Sequence, residues 1–377
     1  MICLGRIKYN PLHKPNLKPQ IIANRLKSIL LLFSPNNSES YWLDKVEVIF
    51  SHAITLCKLY NEGYVTFDEI HKLISSADYY REKIEILHDN FIHNFYSKEQ
   101  CFDILSSLSF FEKEYFSLDD RTFSILKSEC TRITNLFVSD YQIKNIFSPS
   151  SLDDLNFKGF CDVLSKGKIV VLNMNISEYR NLSKVIAAYL KLDFQTEVMQ
   201  NLANRKYDRS VCFISDEYHE YVTASDADFF ATSREAKCIN IVATQSYSSI
   251  LNTLKDKTTV KVIVQNLVNK LWFRTDDIFT IEDAQKQIGK EDKEKISKTL
   301  SENAKESSYN YWLRKFNSNG SSLSESINSY YQFDFIYDTN FFTQKLETFS
   351  CVAFLSDGNR IMKPQKIFLI PYFLNKK

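Results

Sequence analysis

The sequence lacks long apolar runs, paired cysteines and a net charge of either sign. No stretch approaches the roughly 20 apolar residues that a membrane-spanning helix needs, and the longest run covers residues 29–33. The eight cysteines stand singly, without a CxxC pair or a nearby histidine, which disfavours a zinc site and favours a reducing compartment. The formal charge of +1 gives no reason to expect a surface that binds nucleic acid or membrane as a whole. We therefore expect a cytoplasmic globular protein that does not itself cross a membrane.

Residues 16–140 carry the periodicity of consecutive helices, because apolar residues recur at three- and four-residue spacing. Two capping boxes are predicted in this region, at Thr66 with Glu69 and at Ser97 with Gln100. Gly63 follows one apolar stripe at the position of a helix C-terminal glycine. That stripe consists of Leu43, Val46, Phe50, Ala53, Ile54 and Cys57. A second stripe consists of Phe123, Leu126, Cys130 and Ile133.

From about residue 150 the pattern changes to short β-branched runs that alternate with helical segments. Such runs predict a mostly parallel sheet that is covered on both faces by helices. The segment 301–329 is rich in Ser, Asn and Lys, a composition that predicts a surface loop or a mobile stretch. The predicted strands are residues 169–172, 211–214 and 239–243, with closing strands at 348–354 and 366–370. The predicted helices include residues 182–190 and 229–236.

Two carboxylates follow directly after the apolar strand Val211-Cys-Phe-Ile-Ser215. P-loop ATPases place an Asp-Glu pair at the carboxyl edge of the sheet, where ligands bind in α/β folds. In that scheme Asp216 holds Mg²⁺ through its water shell, and Glu217 polarises the water that attacks the γ-phosphate. The alternative is an ordinary strand end followed by solvated acids.

Gln245 and Arg234 stand in positions that strengthen this interpretation. Gln245 ends the next predicted strand, so it should lie beside Glu217 and contact a γ-phosphate or the attacking water. Arg234 is predicted on the intervening helix, where it could reach the nucleotide of a neighbouring subunit as an arginine finger. The alternatives are a polar loop residue for Gln245, and for Arg234 a solvated helix residue paired with Glu235 or Asp228.

Several motifs in this order resemble the nucleotide-binding domain of the type IV secretion coupling proteins. These are the TraG/TraD-like ATPases of conjugative DNA transfer, which are related to the FtsK/HerA translocases. Tyr9-Asn10-Pro11-Leu12 is similar to the family's segment that precedes an inserted all-α domain. The other segments are Ile-Ser-Asp216-Glu217-Tyr-His-Glu, Ser233-Arg234-Glu235-Ala236, Ala243-Thr244-Gln245-Ser246, Asn269-Lys270-Leu-Trp-Phe-Arg274-Thr275-Asp276 and Ile288-Gly289.

The resemblance implies a RecA-like α/β fold of the P-loop NTPase type with an inserted all-α domain. It divides the chain into a remnant of the nucleotide-binding domain at 1–15, an all-α domain at 16–145 and the Walker B half of the RecA-like domain at 146–377. The all-α domain would recognise relaxosome or substrate proteins.

The resemblance also implies a homo-hexameric motor at the cytoplasmic face of a secretion channel. It would hydrolyse ATP with Mg²⁺ to deliver a complex of relaxase and single-stranded DNA, or secreted proteins. Asp216 resembles the Mg²⁺ ligand, Glu217 the catalytic base, Gln245 the γ-phosphate sensor and Arg234 the arginine that acts in trans.

A Walker A loop, GxxxxGK[ST], is missing from the sequence. Only Gly167-Lys168 and Gly289-Lys290 place Lys after Gly; neither is followed by Ser or Thr, and neither has a glycine five residues upstream. Family members carry this loop and their membrane-anchoring helices before the Tyr-Asn-Pro-Leu segment, so we expect an N-terminally truncated coupling protein. We expect weak or no ATP binding by this chain, and an exposed sheet edge that makes it marginally soluble.

Two other functions remain open from the sequence. The first is a non-hydrolysing adaptor that uses the helical domain to bind relaxosome or effector proteins. The second is an unrelated HerA-like translocase that acts on chromosomal DNA.

Overall fold

A computed structural model describes residues 7–31, 40–93, 96–173, 176–204, 207–303, 309–312, 314–316 and 322–375. It divides into two compact units. The first comprises Met1–Gln245 and Ser249–Leu267, and the second comprises Ser246–Ser248 and Val268–Lys377. None of the helices in the described part is both long enough and apolar enough to cross a bilayer.

Where the structure describes them, residues 19–147 form consecutive helices, as the periodicity predicts. The apolar stripe of the second helix is fully buried, and Gly63 follows it with a positive φ of 83°, donating its N–H to the Lys58 carbonyl at 2.8 Å. A π-helical turn, Phe111–Tyr115, follows the fifth helix. The helices are α1 (Pro19–Leu31), α2 (Ser40–Tyr60), α3 (Phe67–Ser75), α4 (Ala77–His93), α5 (Lys98–Phe110), α6 (Asp120–Val138) and α7 (Tyr141–Phe147).

Of the two predicted capping boxes, one forms completely. Ser97 Oγ accepts from the Gln100 N–H, and the Gln100 side chain accepts from the Ser97 N–H. At α3, Thr66 Oγ1 accepts from the Glu69 N–H, which confirms the N-cap. The Glu69 carboxylate instead accepts from the hydroxyls of Tyr60 and Tyr79, so the reciprocal half of this box is replaced by a contact between helices.

The rest of unit 1 is an α/β region built around two parallel strands. Strands β1 and β2 pair in parallel, with Val211 opposite Cys238 and Ser215 opposite Val242. Both strands lie within one residue of their predicted positions. The elements are α8 (Phe160–Lys166), α9 (Ile176–Asn204), β1 (Val211–Ser215), α10 (Asp226–Thr232), β2 (Cys238–Val242), α11 (Tyr247–Leu254) and α12 (Lys257–Asn266).

The predicted strand at residues 169–172 is wrong. These residues are irregular, and Ile169 is 89% exposed, because no strand in the described part of the chain lies beside them to form a ladder. One face of the β1 and β2 pair also exposes apolar side chains, namely Ile214, Ile239 and Ile241. The described part of the chain therefore does not bury the apolar side chains of these segments.

Unit 2 combines a small antiparallel sheet with a long hairpin. Trp272, Ile281, Phe342 and Val352 form the centre of its core. The closing strands are confirmed as the last two of the sheet, whose order is β3-β8-β9. The elements are β3 (Lys270–Trp272), α13 (Ile278–Ile288), β4 (Lys290–Asn303), β5 (Tyr309–Asn310), β6 (Lys315–Phe316), β7 (Ser322–Phe335), β8 (Ser350–Phe354) and β9 (Gln365–Phe368).

The predicted surface loop at 301–329 is wrong where the structure describes it. Strands β4 and β7 pair over 14 residues each, and this ladder includes residues 301–303 and 322–329. Residues 304–308, 313 and 317–321 of the prediction lie outside the described residues. Polar Ser and Asn side chains suit a ribbon that is exposed on both faces, because the ladder itself satisfies the backbone groups.

A buried carboxylate of α9 connects the start of the chain and α1 to the α/β region. Asp193 is 0% exposed and accepts from the Tyr9 hydroxyl, from Lys14 Nζ at 2.7 Å and from an Arg25 nitrogen at 2.8 Å. Tyr189, one turn earlier, donates to the Pro11 carbonyl at 2.9 Å. Two buried cations thus depend on one buried anion.

Replacing Asp193 by Asn is therefore expected to destabilise the chain strongly. The amide keeps the side-chain volume but leaves Lys14 and Arg25 buried without a counter-charge, which costs about 3–5 kcal/mol. Urea denaturation followed by circular dichroism measures the effect. Asp208→Asn is the matched control, since its pair with Lys237 is exposed and should contribute less than about 1 kcal/mol. Equal losses of unfolding free energy in the two variants would show that Asp193 does not stabilise the chain through buried charge pairs.

Candidate functional site

The parallel register brings the polar ends of β1 and β2 to the same edge. The Ala243 N–H donates to the Ser215 carbonyl at 2.8 Å, and the Tyr218 N–H donates to the Ala243 carbonyl at 2.9 Å. These bonds extend the ladder past the ends of both strands. Asp216 and Glu217 therefore leave β1 beside the residues that leave β2, at the edge where α/β folds bind ligands.

Glu217 and Gln245 are in contact at this edge, as their positions predict. Gln245 Nε2 lies 3.3 and 3.4 Å from the two carboxylate oxygens of Glu217. Glu217 adopts a positive φ of 47°, and its side chain is 46% exposed. Asp216 is exposed, and its Oδ1 accepts from the Glu217 N–H at 2.9 Å. The edge thus presents two carboxylates and one amide to solvent.

His219 belongs to the same cluster, and the sequence reasoning did not single it out. Its Nδ1 lies 3.5 Å from Glu217 Oε2 and 3.3 Å from Thr244 Oγ1, and its Nε2 lies 3.6 Å from Glu220 Oε1. The His219 imidazole therefore connects the turn after β1 to the end of β2. The signal was present in the run Asp-Glu-Tyr-His-Glu, since a histidine two residues after Glu217 can fold back on it in a tight turn.

A buried charge pair holds the turn that carries Asp216 and Glu217. Lys191 of α9 and Asp226 at the start of α10 are both buried, and Lys191 Nζ lies 2.5 Å from Asp226 Oδ2. Lys191 also donates to the Tyr221 carbonyl at 2.8 Å. Burial lowers the pKa of Lys191 from its ordinary value, and the charge of Asp226 opposes that shift.

Asp226 accepts further hydrogen bonds from the turn and from α9. The Tyr218 hydroxyl donates to it at 2.6 Å, the Thr223 N–H at 3.0 Å and Gln195 Nε2 at 2.9 Å. Tyr221 closes the turn by donating from its hydroxyl to the Asp216 carbonyl at 2.6 Å. The backbone that positions the two exposed carboxylates is thus fixed from the interior.

Arg234 does not lie on a helix, so the predicted placement is wrong. Helix α10 ends at Thr232, and Arg234 is exposed in the turn before β2. The helix ends early because Ser233 is buried there, where its carbonyl accepts from the Cys238 N–H at 2.9 Å and its hydroxyl accepts from Asn240 Nδ2 at 2.8 Å. Within the described residues, no ion pair forms between Arg234 and an acidic side chain.

Neither glycine–lysine pair can serve as a phosphate loop. Gly167 ends α8 in a left-handed conformation, and Lys168 pairs with Asp162 at 2.7 Å. Gly289 ends α13. A phosphate loop needs the N-terminus of a helix, where free N–H groups and the positive end of the dipole meet the anion, and both glycines lie at the opposite end.

The chemistry of the edge fits a nucleotide site in part. An exposed carboxylate at the carboxyl end of a strand can hold Mg²⁺ through water, and a second carboxylate beside an amide can bind a polarised water. Across the described ranges, no group of three or more His, Cys, Asp or Glu is arranged to hold a metal directly. A cradle for phosphates is likewise missing from the described residues.

Comparison with known proteins confirms the resemblance to the TraG/TraD-like coupling proteins. Residues 210–329 match the family model of the TraM recognition site of TraD and TraG. This match spans 120 of the 377 residues and includes Asp216, Glu217, Arg234 and Gln245. No curated protein matches the chain significantly.

Solved structures confirm the RecA-like α/β fold. One is the bacterial conjugative coupling protein TrwBdeltaN70 in an unbound form, with 12% identity, a TM-score of 0.56, and coverage of 97% of this chain and 73% of that one. Another is the plasmid coupling protein TrwB with the non-hydrolysable GTP analogue GDPNP, with 12% identity, a TM-score of 0.57, and coverage of 97% and 74%. A third is TrwB with ADP and Mg²⁺, with 11% identity, a TM-score of 0.57, and coverage of 97% and 71%.

Two neighbouring acids of α10 should differ greatly in how much their substitution changes the free energy of unfolding. Asp226→Asn should lower the free energy of unfolding by about 3–5 kcal/mol, because it leaves the buried Lys191 without a counter-charge. Asp228→Asn removes an exposed carboxylate of the same helix and should change it by less than about 0.5 kcal/mol. Urea denaturation of both variants tests this, and a stable Asp226→Asn variant would show that the pair does not hold the turn.

Proposed function

We propose that this chain, which has the fold of the conjugative coupling proteins, is a coupling-protein subunit that contributes the carboxylate half of an ATP site. The contact between Glu217 and Gln245 carries the proposal. It joins the ends of two parallel strands, where an ATPase needs a base for water and a polar group for the γ-phosphate. The match of residues 210–329 to the TraM recognition site supports the same function.

Each exposed polar residue has a defined task in this proposal. Asp216 would hold the water shell of Mg²⁺, Glu217 would take the proton of the attacking water, and Gln245 would orient that water or the γ-phosphate. Bound Mg²⁺ would neutralise charge on the transferred phosphoryl group. Arg234 is exposed in a turn, which suits a role in trans at the nucleotide of a neighbouring subunit.

The partners follow from the same proposal. The chain would act in a homo-hexamer at the cytoplasmic face of the plasma membrane, next to a type IV secretion channel. Its cargo would be a complex of relaxase and single-stranded DNA or secreted proteins. The all-α region and the TraM recognition segment would bind relaxosome proteins.

A second candidate is a non-hydrolysing adaptor of the same transfer system. The absence of a GxxxxGK[ST] motif from the sequence favours it, since the residues that make most contacts to phosphates are not there. The adaptor would use the same protein-binding surfaces without turnover. The two candidates differ in whether DNA transfer requires the carboxylate of Glu217.

Substitution of Glu217 in cells that carry the transfer system separates them. If the chain contributes to hydrolysis, Glu217→Gln should lower the frequency of DNA transfer about 100-fold or more, because it removes the general base but keeps the side-chain shape. Glu282→Gln, the same chemical change at an exposed acid of α13, is the matched control and should leave transfer unchanged. Unchanged transfer by Glu217→Gln, with transfer abolished by deletion of the gene, would support the adaptor and overturn the motor.

The purified 377-residue chain is expected to bind ATP weakly. Without a phosphate loop we expect a Kd above roughly 1 mM, which corresponds to no more than about 4 kcal/mol of binding free energy. Titration calorimetry with ATP and Mg²⁺ measures this, with ATP alone as the control for metal dependence. Tight Mg²⁺-dependent binding would show that the chain holds phosphates in a way that its glycine positions do not indicate.

A further inference from the structure

The long hairpin of unit 2 is amphipathic. In an antiparallel ladder, residues directly opposite each other point to the same face, and the faces alternate along each strand. The register pairs Asp292 with Phe333, Glu294 with Tyr331 and Lys298 with Ile327. The face that contains these pairs, which we call the apolar face, carries Ile296, Ile327, Tyr331, Phe333 and Phe335, whereas Tyr330 lies on the opposite face.

Most of these side chains are exposed. Ile296 is 62% exposed, Ile327 59%, Tyr331 74% and Phe333 65%. A two-stranded ribbon is marginally stable by itself, and its apolar residues gain free energy only when that face is covered. The concentration of these residues on one face therefore marks a docking surface.

The two faces also differ in how their charges are paired. On the opposite, polar face, Lys295 lies 3.3 Å from Asp334, and Lys293 donates to the Ile336 carbonyl at 2.8 Å. On the apolar face, Asp292 and Glu294 form no ion pair within the described residues. Lys298 reaches Glu325 only at 3.9 Å, with both side chains more than half exposed. The apolar face thus carries Asp292 and Glu294 on one side of Ile296 and Lys298 with Glu325 on the other. Lys290, at the base of the same face, lies over the Phe335 ring at 4.5 Å from its centroid.

This charge pattern argues against two common occupants. The two strands carry four lysines and six acidic residues, so the ribbon would repel the phosphates of a nucleic acid. The same excess of acids disfavours an anionic membrane surface, which attracts faces rich in Lys and Arg. A protein surface with an apolar stripe and the complementary order of charges remains.

We propose that this occupant is the same apolar face of a second copy of the chain, packed antiparallel about a twofold axis at Ile296. Such packing sets the Ile296 side chains of the two copies against each other and places Tyr331 opposite Ile327. It also places Glu294 of each copy opposite Lys298 of the other, so the centre of the apolar face, from Glu294 to Lys298, is complementary to itself in both apolar residues and charge.

A twofold contact of this kind closes at two chains. It is independent of nucleotide and of the proposed ATPase function, because none of its residues lies at the ends of β1 and β2. It also differs from the contacts of a ring, which join different surfaces of successive subunits. In a ring-forming protein the hairpin would therefore join two rings, or hold two chains together before a ring forms.

Charge reversal within the full 377-residue chain tests the proposal by sedimentation velocity over roughly 1–100 µM, a range that detects weak docking. The wild type should sediment as a concentration-dependent dimer. Glu294→Lys and Lys298→Glu should each raise the dimer Kd about 10-fold or more, because both symmetry-related contacts become repulsive. The double variant Glu294→Lys/Lys298→Glu exchanges the charges within one chain and should restore the Kd to within about threefold of the wild type.

Two substitutions on the polar face are the matched controls. Glu291→Lys and Lys295→Glu make the same charge changes three ladder rungs from Glu294 and Lys298, on the opposite face, and should leave the Kd unchanged. A monomeric wild type over the whole range would overturn the proposal. So would a double variant that stays as weak as the single variants, or controls that weaken the dimer equally, since charge order on the apolar face would then not decide the association.

Discussion

Helix α9 carries two buried charges that bind different neighbours, and much of unit 1 depends on both being paired. Asp193 is paired with Lys14 and Arg25 from the start of the chain and α1, while Lys191, two residues earlier, is paired with Asp226 after β1. A buried charge without its partner costs several kcal/mol, so neither neighbour can separate from α9 without that loss. One helix therefore keeps the all-α region and the turn after β1 in fixed positions.

The proposed function depends on this constraint because the functional residues themselves are exposed. Asp216 and Gln245 lie at the surface, and Glu217 is half exposed, so their own contacts contribute little to stability. Their positions come from the β1 and β2 register and from Asp226, which accepts from Tyr218 and Thr223 within the turn. A fixed interior thus presents exposed polar groups to solvent, as the proposed nucleotide site would require.

Two kinds of feature were predicted correctly from the sequence. One depends on a local residue pattern, and the other depends on the order of the strands. The buried stripe of α2 follows from helical periodicity, and the contact between Glu217 and Gln245 follows because parallel strands end at the same edge. The features missed depend on partners far away in the chain. Residues 169–172 have strand composition but no ladder partner within the described residues. The hairpin pairs Ser and Asn residues that resemble a loop, and Lys191 meets Asp226 35 positions away. Arg234 lies outside the predicted helix for a more local reason, because the hydrogen bonds of Ser233 with Cys238 and Asn240 end that helix early.

Amide hydrogen exchange measures whether the Lys191 and Asp226 pair holds the turn of Asp216 and Glu217 beside Gln245. In the wild type the amides of Tyr218 and Ala243, which bond across the ends of β1 and β2, should be protected. In Lys191→Met their protection should fall at least about tenfold, while the α2 amides stay protected. Unprotected amides in the wild type, or equal protection in the variant, would show that the Lys191 and Asp226 pair does not hold this turn.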